Sequence, residues 1–211
     1  MVIQYLGHSA FYIENGKSVV FDPFDFIGYY MQGLSCDYCI SSHDHFDHNA
    51  FKMVDYGAKI DQATGLDVEA FKEIGLVRIK TYHDDKRGAL RGENYVSRVT
   101  LGGLTFAHLG DLGEPYNNSV IEKLKGVDVL FVPIGGKYTI NALEAKRYCD
   151  EINPKIIVPM HFKTAKSNID IAGLDEFLKH YNGYTKVDAK IDFDINRYQH
   201  PQILVFDHSE F

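Results

Sequence analysis

The chain alternates between short apolar runs and polar turns, and the period of each run predicts its structure. Residues 2–6, 10–14 and 18–22 are β-prone runs of strand length. Asn15-Gly16 stands between the second and third and predicts a tight hairpin. Residues 24–33, with Phe24, Phe26, Tyr29 and Tyr30, are too irregular for a strand and predict an aromatic loop. Residues 38–41 read as a short buried strand, and residues 49–54 as the start of a helix. A second helix is expected over 67–74, with Asp67 as N-cap and Gly75 just past its end.

The later chain reads as strands interleaved with helices. Strands are expected over 77–82, 95–101 and 104–109, with Gly102-Gly103 turning a hairpin between the last two. A helix over 118–125 is closed by Gly126, and the mostly apolar, β-branched stretch 127–134 suits a strand buried on both faces. Asn141 and Glu144 stand three apart, as in a capping box, before a helix that puts Ala145, Tyr148, Cys149 and Ile152 on one face. Pro154 stops it. A buried strand over 156–160 ends at His161, a last helix carries Leu174, Phe177, Leu178 and Tyr181, and residues 203–206 make a terminal strand. Strands and hairpins first, then strands alternating with helices, predict two mixed sheets covered by helices in one α+β or α/β domain spanning residues 1–211.

Composition narrows the partners more than the fold. Of 211 residues, 45% are apolar and 24% charged, as in ordinary globular chains, and the net charge is −7. No basic run interleaves with aromatics, which argues against nucleic acid. No apolar stretch is long enough to span a membrane, and the N-terminus lacks the pattern of a signal peptide, so a cytoplasmic protein is expected. Cys36, Cys39 and Cys149 are an odd set that fits a reducing compartment, and Cys36-x-x-Cys39 lacks the second pair of a zinc knuckle. Core packing is the expected role for these cysteines.

The chemistry concentrates in His43-Asp44-His45-Phe46-Asp47-His48, where five of six side chains are metal-ligand types. Two residues apart on an extended turn, His43 and His45 can point the same way and share an ion. Asp47 and His48 point elsewhere and can serve another. Each ion needs more donors. His83, Asp111 and His161 each follow a predicted strand, at the carboxyl ends where open sheets place their sites.

This ordered set resembles the metallo-β-lactamase superfamily. Gly7-His8-Ser9, Asp22-Pro23, Arg91-Gly92-Glu93-Asn94, His108-Leu109-Gly110-Asp111, Gly135 to Thr139 and Pro159-Met160-His161 resemble its ascorbate-6-phosphate lactonase-like and RomA-like branch. The resemblance implies a four-layer αββα sandwich of the α+β class, with two mixed sheets face to face and helices on the outer faces. It implies two divalent ions, zinc first, with manganese or iron as alternatives. One ion would take His43, His45 and His83, the other Asp47, His48 and His161, with Asp111 bridging. Asp22 would orient ligand rings from behind. Asp47 would also act in catalysis, on a small ester, lactone or phosphodiester.

Several residues carry two readings. His108 precedes Asp111 by three, so strand alternation turns it away and predicts a core or supporting histidine. His8, Asn94, Tyr138 and Thr139 are candidate substrate contacts, although His8 can instead cap the Gly7 turn and residues 91–94 can simply turn the chain. Phe46 is expected to pack inward, and the aromatic loop 24–30 to roof part of the site. An iron-bound oxidoreductase on the same scaffold is the main alternative function, but iron-loaded relatives often carry Glu where His45 stands. A non-catalytic metal-binding module is the third reading. A homo-oligomer is compatible with all three.

Overall fold

Two mixed β-sheets face one another across a continuous apolar core. The structure is a computed structural model that describes residues 1–28, 30–31 and 33–208. The strands are β1 (Val2–Gly7), β2 (Ala10–Asn15), β3 (Lys17–Phe21), β4 (Leu34–Ile40), β5 (Val54–Ile60), β6 (Val77–Tyr82), β7 (Glu93–Leu101), β8 (Leu104–His108), β9 (Val129–Pro133), β10 (Ile156–Met160), β11 (Thr185–Val187), β12 (Lys190–Asp192) and β13 (Gln202–Phe206). The N-terminal sheet has the order β12-β1-β2-β3-β4-β5, and the C-terminal sheet β11-β13-β10-β9-β8-β7-β6. Each sheet joins an antiparallel part to a parallel one: β3, β4 and β5 run parallel, as do β8, β9 and β10. This is the α+β sandwich that the sequence predicts.

The core explains why the strands read as they do. Tyr5, Phe11, Phe21 and Ile40 of the first sheet meet Val99, Phe106, Phe131 and Val158 of the second in one buried cluster. β9 and β10 are buried at every position, because β9 lies between parallel neighbours with apolar layers on both faces.

Helices α1 (Asn118–Leu124) and α2 (Ala142–Ile152) cover the outer face of the C-terminal sheet, joined by the single turn α3 (Asp175–Leu178). Both longer helices start on asparagine caps, worth ~1 kcal/mol each, and α2 carries the full Asn141–Glu144 capping box. On the N-terminal sheet the outer layer is thinner. There Phe24, Ile27 and Met31 of the aromatic loop pack onto Leu6, Ala10, Val20, Cys36 and Cys39.

Three local expectations need correction. Residues 49–54 do not form a helix: a 3-10 turn at Phe51–Met53 leads straight into β5. Val54 and Ile60 are buried while Asp55 and Lys59 are exposed, so the period is two and the strand wins. The helix expected over 67–74 is a 3-10 segment, Glu69–Ile74, although Gly75 does close it in the left-handed conformation. The last helix shortens to one turn, and β11 and β12 appear where no strand was expected.

Candidate metal centre

The parallel parts of both sheets end at the same edge, and their exits carry the donors. Asp22 leaves β3, His43 to His48 fill the crossover from β4 to β5, His83 leaves β6, Asp111 follows β8, and His161 follows β10. His8 sits in the β1–β2 turn. Its carbonyl accepts a hydrogen bond from the His161 amide at 3.1 Å, and the Ser42 carbonyl accepts one from Tyr95 at 2.8 Å, which stitches the sheets together at the site.

Backbone strain marks the same place. His8, Asp22 and His161 have φ of 55°, 46° and 52°, a left-handed conformation that costs a non-glycine residue on the order of 1 kcal/mol or more. Gly110 shares that conformation at φ 56°, and a Cβ there would collide with Asn94 Oδ1 and Ser42 Cβ. Only glycine allows the turn that aims Asp111.

The donors fall into overlapping groups. Donor atoms of His43, His45 and His83 lie within 4.8 Å of one another, as do those of His43, His48 and Asp111, and those of His8, His48 and His161. Asp111 is central: its Oδ2 lies 3.4 Å from His48 Nε2, 3.4 Å from His83 Nε2 and 3.1 Å from His161 Nε2. Asp47 Oδ2 lies 3.4 Å from His8 Nε2 and 3.8 Å from His48 Nε2. His8 therefore enters the second histidine group. The backbone conformation that puts it there left no mark on composition or periodicity.

Supporting bonds fix the rings from behind. Asp22 Oδ2 accepts from His48 Nδ1 and Ser42 Oγ at 2.8 Å each, and its Oδ1 accepts from the Ser42 amide at 2.6 Å. Ser42 Oγ is also 2.9 Å from His43 Nδ1. With these nitrogens held, His43 Nε2 and His48 Nε2 point into the site, buried and without hydrogen-bond partners among the described residues, as is Asp111 Oδ1. Buried polar atoms without partners are costly, and divalent cations would satisfy them. The residues fit a metal centre.

Electrostatics favour positive charge in the centre. Burial alone would strip the proton from His48, yet Asp111, Asp47 and Asp22 outweigh it and hold its pKa well above the ordinary range. The carboxylates that would keep a proton there would equally hold a cation. His43 has less carboxylate about it, and burial together with its histidine neighbours holds it well below the usual value. Burial also lowers His8, to about 4, keeping its ring neutral at physiological pH.

Other expected residues take varied positions. His108 is buried beside the centre: Nε2 donates to the Ser9 carbonyl at 2.8 Å, Nδ1 accepts from Gly110 at 3.1 Å, and the ring stacks on Phe21. It ties down the turn before Asp111. Tyr138 lines a cavity of about 770 Å³ that opens onto His45, Asp47, His83, Asp111 and His161, a volume typical of small-molecule sites.

Asn94 and Thr139, expected to contact substrate, do not reach that cavity. Asn94 is wholly buried, donating to Thr81 Oγ1 and the Leu109 carbonyl and accepting from the Asp111 amide, each at 2.9 Å. It positions Asp111 instead. The Thr139 hydroxyl is buried and donates to the Ile140 carbonyl, so it shapes its own loop. Phe46 is 65% exposed at the cavity mouth rather than packed inward. The aromatic loop is not the roof: Phe24 is core, Phe26 and Tyr30 do not line the cavity, and Tyr29 lies outside the described residues. The cysteines are buried and free.

Two facing mixed sheets with a His/Asp cluster at their shared edge define the class: a metal-binding metallo-β-lactamase fold. A model of the beta-lactamase superfamily domain matches residues 2–161, and the chain belongs to the metallo-β-lactamase superfamily. A UPF0173 metal-dependent hydrolase of Staphylothermus marinus is 32% identical over 202 residues, covering 77% of this chain and 84% of that protein. One from Korarchaeum cryptofilum is 27% identical over 90% of this chain and 94% of its own. The crystal structure of a metallo-beta-lactamase superfamily protein from Thermotoga maritima superposes with a TM-score of 0.75 at 28% identity, covering 97% of each chain.

Proposed function

We propose that this chain is a dinuclear metal-dependent hydrolase acting on a small ester, lactone or phosphodiester. One ion would be held by His43, His45 and His83, the other by Asp47, His48 and His161, with Asp111 shared. The observation that carries this reading is the Asp111 carboxylate, set against a histidine nitrogen from each of three loops beside donor atoms that lack other partners. The provisional name of the Thermotoga relative is that of a Zn-dependent hydrolase, which favours zinc here. Free, buried cysteines suit a reducing cytoplasm. A lactone fits the branch that the flanking motifs resemble.

Divalent ions bound there would supply Lewis acidity and lower the pKa of water from 15.7 to ~7. The chain's own residues do the positioning. Asp22 locks the His48 ring and, through Ser42, the His43 ring. Asp47 is the candidate proton acceptor. Burial would raise its pKa, but His48 and His8 hold it well below the carboxylate range, so it is ionised and able to accept a hydrogen bond at neutral pH. The buried setting of Asp111 lowers the local dielectric and strengthens the interactions around it.

Metal analysis of purified protein, with turnover across ester, lactone and phosphodiester panels, tests the reading. The expected result is about two ions per chain and an activity that chelation abolishes and zinc or manganese restores. Bound iron with a visible absorption band and oxygen consumption would replace it with the oxidoreductase reading. A fully metallated protein inert on all panels would point to a binding module.

A further inference from the structure

The cavity in front of the metal centre is acidic inside and carries one strong cation at its rim. Asp44, Asp47, Asp111 and Asp170 border it, while Arg91 is the only lysine or arginine among its described lining residues. Asp170 is already paired with Lys137 at 2.7 Å. The Arg91 guanidinium lies over the Tyr138 ring, 5.3 Å from its centroid, and among the described residues it makes no ion pair.

The loop that presents Arg91 is tied down. The buried Asp84 carboxylate accepts backbone bonds from Lys86 and Gly88 on Oδ1, at 2.8 and 2.9 Å, and from Leu90 and Arg91 on Oδ2, at 3.0 and 2.8 Å. The Gly92 carbonyl accepts from the His83 amide at 3.1 Å, fastening the loop to a strand end of the metal centre. A cation on a pre-ordered loop gives up less entropy when it binds a partner. The Arg91 side chain makes no hydrogen bond to the described residues, so its guanidinium fork can take a bidentate anion.

Apolar surface surrounds it. Phe46 and Leu90 line the same cavity at 65% exposure each, together with Ile169. Large apolar side chains left open at the mouth of a concave site mark a surface that a ligand covers.

We propose that the cavity takes an amphiphilic anion: a substrate whose carboxylate or phosphate rests on Arg91, whose apolar body lies against Phe46, Leu90 and Ile169, and whose scissile bond reaches the Asp111 end. This deepens the hydrolase reading and rests on it for the scissile bond alone.

Calorimetric titration of the metal-loaded full chain tests it, with octanoate, mono-octyl phosphate and the neutral octanamide as probes. Wild type should bind at least one anion more tightly than octanamide. Arg91→Ala should weaken that anion roughly 10-fold or more, the scale of a charge-assisted bond, and leave octanamide unchanged. Which anion loses more identifies the head group. Phe46→Ser should weaken all three probes alike, and unchanged binding there overturns the apolar half. Equal anion affinity in wild type and Arg91→Ala, or no anion preference in wild type, overturns the proposal. Metal content and turnover, measured on the same samples, report separately on the hydrolase reading: Arg91-dependent binding by an inert enzyme would sink only the latter.

Discussion

The two sheets supply their shares of the candidate metal centre in opposite ways. The N-terminal sheet places four candidate donors, His43, His45, Asp47 and His48, in one crossover between adjacent parallel strands. The C-terminal sheet contributes one candidate donor from each of three exits, His83, Asp111 and His161, spread over more than a third of the chain. The first share is held by Ser42, next to the motif, and by Asp22 at the exit of the neighbouring strand β3. The second exists only when β6, β8 and β10 are in register. A local motif is therefore stiff but incomplete, and the distant donors make the folded sheet itself part of the site.

The sharpest way to break this division is to remove the residue where the shares meet. Asp111→Ala takes away the carboxylate that faces histidines from both sheets. It should lower kcat/KM by well over the ~100-fold that supporting residues cost, and lower bound metal measured on the same preparation. Wild-type metal content in this variant would show that the two shares do not depend on Asp111.

Next in size come the two supporting residues. Asp22→Asn puts an amide where the Ser42 and His48 N–H groups need an acceptor, and should weaken metal affinity roughly 10- to 100-fold in competitive chelator titrations. Asn94→Ala acts on the other share. It leaves the Asp111 amide and the Leu109 carbonyl unpaired, at a cost of about 1–3 kcal/mol, so melting should fall by roughly 2–4 °C per kcal/mol. Its effect on metal affinity should be smaller than that of Asp22→Asn. The reverse order would mean that the C-terminal share, not the local motif, is the stiffer one.

The same division explains what the sequence disclosed. His43 to His48 stand out because their donors are contiguous, and His83, Asp111 and His161 follow recognisable strands. Asp22 surfaced only through family resemblance. The left-handed backbone at His8, Asp22 and His161 is imposed by tertiary contacts and has no compositional signature. Asn94 looked like a loop residue beside Arg91 because nothing local says that it faces the Gly110 turn. Residues 49–54 misled for a different reason: six residues are too few to separate a period of 3.6 from one of two, and the alternation that decides for β5 begins at Val54. β11 and β12 are three residues each and are set by pairing with β13 and β1 rather than by their own sequence.

The smallest effect is expected farthest from the centre, and it separates register from chemistry. Asp128, just before β9, accepts from the Thr105 amide and hydroxyl at 2.8 Å each through Oδ2, and from Lys155 Nζ at 2.7 Å through Oδ1. It thus links the starts of β8 and β10, whose far ends lead to Asp111 and His161. Burial would raise its pKa, but Lys155 and Thr105 outweigh burial and hold it below the ordinary carboxylate range. A carboxyl depressed in the folded state stabilises above its unfolded pKa of ~3.9, and that contribution is lost as pH falls through the lower folded value. Asp128→Ala should therefore melt a few degrees below wild type at neutral pH, at ~1 kcal/mol of lost hydrogen bonding and roughly 2–4 °C per kcal/mol, and the gap should close below about pH 4. Metal content at neutral pH should not change. A gap that persists unchanged into acid would rule out the ionised carboxylate as its source. Lost metal at neutral pH would show that register at the starts of the strands is transmitted along their length to the donors.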